Sequence, residues 1–138
     1  MAGHVFQANI VVHSVTLLGD EITGALRIEP TKVLNLGEPH SLGDKTREFT
    51  SWILSSPLDP EAPIDEHLTW LLDTIAPANE RIRELALADT ISARIQAAFR
   101  HTGQYPMTFL NDLLDKLARF PGHFWLTAYS EAETEPEE

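Results

Sequence analysis

The chain of 138 residues contains no cysteine, which excludes disulfides, thiolate metal sites and cysteine nucleophiles together. It also lacks any apolar run near the ~18 residues that a membrane-spanning helix needs. The N-terminal stretch MAGHVFQANIVVHSV has no basic leader and interrupts its apolar run with Gln7, Asn9 and His13, so it does not read as a signal peptide. Basic residues are few: ten Lys and Arg stand against 21 Asp and Glu, giving a formal net charge of −11. Nucleic acid and anionic membranes are bound by clustered Lys and Arg, and those here are scattered, so neither is expected as a partner. No glycine-rich phosphate loop or dinucleotide fingerprint occurs, and Ser51, Ser55 and Ser56 lie outside any G-x-S-x-G elbow. The expectation is a cytoplasmic protein without a cofactor.

What the chain does have is organised around Arg47 to Pro77. Phe49, Ser51 and Ile53 alternate with Thr50, Trp52 and Leu54, the period of a strand, and Pro57, Pro60 and Pro63 then forbid regular structure. Ile64, Leu68, Leu71, Leu72 and Ile75 follow at helical spacing and predict one buried face. Pro77 interrupts this helix, but Ala78, Ile82, Leu85 and Ala86 continue its spacing, so a kink or two helical pieces are expected.

Around this centre, Phe6, Ala8, Ile10 and Val12 predict a first strand covered on one side. Asp20 is placed to cap a short helix, EITGALRI, and Lys32 to Leu36 reads as a second strand, paired with the third across a long loop. Ile91 to Phe99 fits both periods. A strand is preferred, because a helix there would extend one run from Ile64 to Arg100, far beyond ordinary length. Thr108 is placed to cap a last helix striped by Leu110, Leu113, Leu114 and Leu117, with Asp112 and Lys116 paired outside. HFWLTAY closes the fold as a strand apolar on both faces, expected to be covered by helix.

The order is β-α-β-β-α-β-α-β. It predicts an α+β domain with an antiparallel-rich sheet of about five strands and helices on one face. The first six elements have the ferredoxin-like order, extended by a C-terminal α-β pair. The glutamates of the tail EAETEPEE supply five of the negative charges, leaving about −6 for the body. That tail has no apolar residue larger than Ala to offset its ordering entropy, so residues 131–138 are predicted disordered and 1–130 a single domain.

The run LLGDEITGALRIEPTKVLNLGEPH, followed by SWILSS, DEHLTWLLDTIAP and a closing strand ending at Tyr129, resembles a bacterial and phage family catalogued as domain of unknown function 4279. The resemblance spans Val5 to Tyr129 and implies an extended segment at Ile91 to Phe99. It implies no activity, cofactor or catalytic residue. Thr127 stands where the family pattern leads us to expect an acidic residue.

Candidate site residues follow from the main helix. Asp65, Glu66 and His67 in its first turn combine carboxylate and imidazole, as acid/base chemistry requires, although acids also favour helix N-termini for dipole reasons. Trp52 is the candidate for stacking a small ligand and Trp70, at the edge of its helical stripe, for anchoring a partner. The six histidines show neither i, i+4 nor H-x-H spacing, so no metal site is expected. The function expected is an intracellular protein-binding module, immunity- or inhibitor-like, using an acidic surface against a basic partner; self-association is a competing behaviour that needs an apolar edge or patch. The alternative is a small enzyme or ligand-binding domain using Asp65, Glu66 and His67 near Trp52.

Overall fold

Among the described residues five strands and four α-helices succeed one another as β1 (Val5–Ser14), α1 (Gly19–Leu26), β2 (Lys32–Leu34), β3 (Thr50–Ser55), α2 (Ile64–Ile75), α3 (Asn79–Leu87), β4 (Ser92–His101), α4 (Asn111–Arg119) and β5 (His123–Ser130). The computed structural model describes residues 5–40, 43, 45–101, 103 and 106–130, Ser130 by its backbone only. His4 and the acidic segment 131–138 lie outside the described residues.

The strands form one mixed sheet in the order β2-β3-β1-β4-β5, antiparallel at every pairing except the parallel β4-β5 edge. The architecture is α+β. Phe6, Ala8, Ile10 and Val12 of β1, Trp52 and Leu54 of β3 and Ala93, Ile95, Ala97 and Phe99 of β4 all point to one side. There they share a single core with Ile22 and Leu26 of α1, the full stripe Ile64, Leu68, Leu71, Leu72 and Ile75 of α2, Ile82 of α3 and Leu113 of α4. All four helices therefore cover one face, and the period-2 register turns Gln7, Asn9, Arg94 and Gln96 to the other. Among the described residues no helix is long and apolar enough to cross a membrane.

Local chemistry explains the joins. Pro77 sits in a 3₁₀ turn, Ala76–Ala78, that separates α2 from α3, the two-piece outcome its missing N–H favours. Ile91 to Phe99 is extended, and its buried residues alternate strictly along β4. Gly122 admits β5 alongside β4: a Cβ there would stand 2.4 Å from the Ala93 carbonyl oxygen, so the strands close only without a side chain.

Several sequence expectations are corrected. Residue 20 lies inside α1, not at its cap; the cap position is Leu18, whose N–H donates to the Glu21 carboxylate at 2.8 Å. β2 stops at Leu34, because Asn35 turns its side chain to accept from the Gly19 N–H at 2.7 Å. Leu110, not Thr108, precedes the first turn of α4. Lys116 leaves Asp112 and bridges to Asp73 of α2 at 2.8 Å, an inter-helix pair reached more directly than the i, i+4 one. Of the predicted α4 stripe only Leu113 is buried, while Leu110 and Leu114 are exposed. β5 is not covered: Phe124, Trp125, Leu126 and Tyr129 are all exposed, because the strand lies at the sheet edge.

Candidate functional site

Asp65, Glu66 and His67 start α2 together but diverge at once, since adjacent helical residues point about 100° apart. Asp65 is half-buried, Glu66 is exposed and His67 is buried among the apolar residues of the helix. The structure thus separates the imidazole from both carboxylates and gives it to Ser56, whose Oγ lies 2.7 Å from Nδ1. Ser56 Oγ also accepts from the Leu58 N–H at 3.3 Å, and the Ser56 N–H donates to the Ala8 carbonyl at 3.0 Å. The Ser56–His67 pair therefore ties the proline-rich loop and β1 to α2. Among the described residues His67 Nε2 is buried without a hydrogen-bond partner, and no carboxylate there orients the ring as nucleophilic catalysis requires. Trp52 is fully buried with its Nε1–H donating to Thr23 Oγ1 at 3.0 Å, and Trp70 is half-buried against the core.

The opposite face of the sheet is built differently. Arg94 of β4 lays its guanidinium over the Trp125 ring of β5, 4.5 Å from the centroid, and donates from Nε to Gln96 Oε1. Its Nη1 approaches Nδ1 of His13 on β1 at 3.4 Å. Arginine can only donate, so this contact uses a neutral His13 with a bare Nδ1. Phe49 packs tilted against that ring, 4.7 Å between centroids. His13 and Phe49 then line a cleft of about 320 Å³ with Asp89 and Thr90 where β1 meets the start of β4. Sequence reasoning placed none of Arg94, Gln96 or Phe49 in a site. The available signal was the polar alternation Ser92, Arg94, Gln96, Arg100 along a strand with one uncovered face.

A family model described as Domain of unknown function (DUF4279) matches residues 4–131, nearly the whole chain. The chain belongs to the DUF4279 family. No curated protein and no solved structure matches it. What the DUF4279 domain can do must therefore be read from its own surfaces. Among its described residues no three His, Asp or Glu side chains are grouped to hold a metal ion.

The His13–Arg94 contact gives this DUF4279 domain a pH signature. Partial burial, and then the neighbouring Arg94, hold the His13 pKa below its usual 6.5. The unfolded chain thus takes up this proton at higher pH than the folded one. The stability contributed by neutral His13 is full above about pH 6.5 and is lost as pH falls from there through the folded pKa. Denaturant midpoints measured between about pH 7.5 and 5.5 should fall more for the parent than for His13→Gln. Superimposable slopes would remove His13 from this role.

Proposed function

We propose that this DUF4279 domain is a non-catalytic binding module that meets a basic protein partner through its acidic helical layer. The observation that carries this reading is that charge is sorted by layer. The five strands contain Lys32, Arg94 and Arg100 but no Asp or Glu, whereas the four helices contain nine carboxylates against four cations. Among the described residues two ion pairs form, Arg83 with Glu80 and Lys116 with Asp73. Asp20, Glu66, Glu84, Asp112 and Asp115 are exposed and outside them, free to face a cationic surface. Such charge speeds association and rejects acidic competitors more than it adds affinity. Immunity proteins and inhibitors of bacterial or phage defence systems mask basic surfaces in this way, an analogy of charge and size.

The test is affinity capture from the source cell, identification of the partner, and titration of that purified pair with salt. Affinity is expected to fall steeply with ionic strength, and Glu66→Gln with Glu84→Gln and Asp112→Asn should slow association by about tenfold at low salt. A partner whose binding ignores both salt and these substitutions would sink the proposal.

A further inference from the structure

Six of the eleven exposed large hydrophobic side chains among the described residues lie on the last helix, the residue that precedes it and the last strand: Leu110, Leu114, Phe124, Trp125, Leu126 and Tyr129. Scattered single apolar residues on a surface need no explanation, but a concentration of this kind does. Among the described residues it coincides with an open sheet edge. β5 is the terminal strand, eight residues long, and its side chains carry no Asp, Glu, Lys or Arg. An edge of that length presents a row of unpaired N–H and C=O groups, which other proteins blunt with short strands, bulges or charge. The opposite edge of this sheet is blunted in that manner: β2 has three residues and begins with Lys32.

The register sorts the exposed residues between the two faces of the edge. Phe124 and Leu126 align with Ile95 and Ala97 and so lie on the helix side, where Phe109 packs edge-on to Phe124 at 6.3 Å. Trp125 and Tyr129 align with Gln96 and Arg100 on the open side. An added strand would therefore meet apolar contacts both above and below the new hydrogen bonds.

We infer that this edge pairs with the same edge of a second copy, β5 antiparallel to β5 about a two-fold axis, joining two sheets into one of ten strands. Area and symmetry select a second copy over other strands: pairing β5 with β5 about a two-fold axis covers the same apolar residues on both copies at once. Lys116 of α4 reaches Asp73 of α2, so Leu114, about 200° around the helix, lies on the side turned away from α2 and toward the β5 edge. Leu110 stands one turn before it.

Area is consistent with a specific but modest contact. Six side chains about half exposed supply on the order of 500 Å² per copy, or roughly 1,000 Å² for the pair before the backbone is counted, near the lower bound of specific interfaces. The dimer is thus expected to dissociate at low concentration.

Sedimentation over a dilution series should show a mass of twice 15.4 kDa that falls to the single-chain mass. Leu114→Glu and Thr127→Lys, each on an exposed position, should raise the dissociation constant at least about tenfold without changing the circular dichroism spectrum. Because the chain has no cysteine, single-cysteine variants read the register directly. Thr127→Cys, near the middle of β5, should form a disulfide-linked dimer on mild oxidation, and Lys32→Cys on the other edge should not. A single-chain mass throughout, a dimer indifferent to both edge substitutions, or cross-linking through Lys32→Cys in preference to Thr127→Cys would each overturn the inference. The helix-face partner proposed above is tested separately, since its carboxylate variants leave Thr127 untouched.

Discussion

Replacing Trp52 with alanine should lower the stability of the domain by about 3–5 kcal/mol, a large share of the ~5–15 kcal/mol that holds a domain of this size together. The residue is central in the sheet. β3 sets it opposite Val12 of β1 on one side and Val33 of β2 on the other, while its Nε1–H reaches across to Thr23 of α1. Truncation removes apolar contacts to three elements at once and leaves a cavity that a hydrogen-bonded sheet cannot collapse. The hydrogen bond can be isolated from the packing. Thr23→Val keeps the volume but leaves a buried indole N–H unsatisfied and should cost about 1–3 kcal/mol. In the Trp52→Phe background the same change should cost much less, because the orphaned donor is gone. Urea unfolding measures the four variants against the parent, and thermal unfolding should show a drop in Tm of roughly 10–20 °C for Trp52→Ala. A loss below about 1 kcal/mol for that variant would show that the indole does not fill the centre of the core.

Trp52 also shows what can be read from one chain. Its burial follows from the alternation of β3, just as the stripe of α2 follows from Ile64, Leu68, Leu71, Leu72 and Ile75, because a core selects for period and type over many residues. Helix caps were less legible: Asp20 and Thr108 are good capping residues, yet the helices start at positions chosen by tertiary contacts, such as the Gly19–Asn35 hydrogen bond. The fate of β5 was not legible at all. HFWLTAY is apolar enough to be buried on both faces, and whether it is depends on strand order, which arises from long-range pairing and leaves no local mark. The same limit applies to the candidate site. Asp65, Glu66 and His67 are adjacent in sequence and separate in space, whereas His13, Arg94 and Trp125 are distant in sequence and meet on the sheet.

His67→Ala should destabilise the domain by about 2–4 kcal/mol, because it vacates a site at the heart of the α2 stripe that is only 1% exposed. It also deprives the Ser56 hydroxyl of its imidazole partner, loosening the link between the proline-rich loop and the helix. His67→Leu separates shape from hydrogen bonding. Leucine restores most of the lost volume and removes Nε2, a buried polar atom with no partner, while Ser56 keeps the Leu58 N–H. Its cost should stay within about 1 kcal/mol of the parent, since the unpartnered Nε2 is removed and the half-buried Ser56 hydroxyl can turn to water. The ordering Ala far below Leu identifies a packed structural histidine. The acid/base reading of Asp65, Glu66 and His67 makes the opposite demand: both substitutions would abolish turnover, and alanine would leave the unfolding midpoint almost unchanged. Chemical denaturation of the two variants therefore separates the readings without any substrate in hand. An alanine variant as stable as the parent would return His67 to the list of candidate catalytic groups, and a leucine variant as damaged as alanine would mean that the Ser56 hydrogen bond, not packing, sets its contribution.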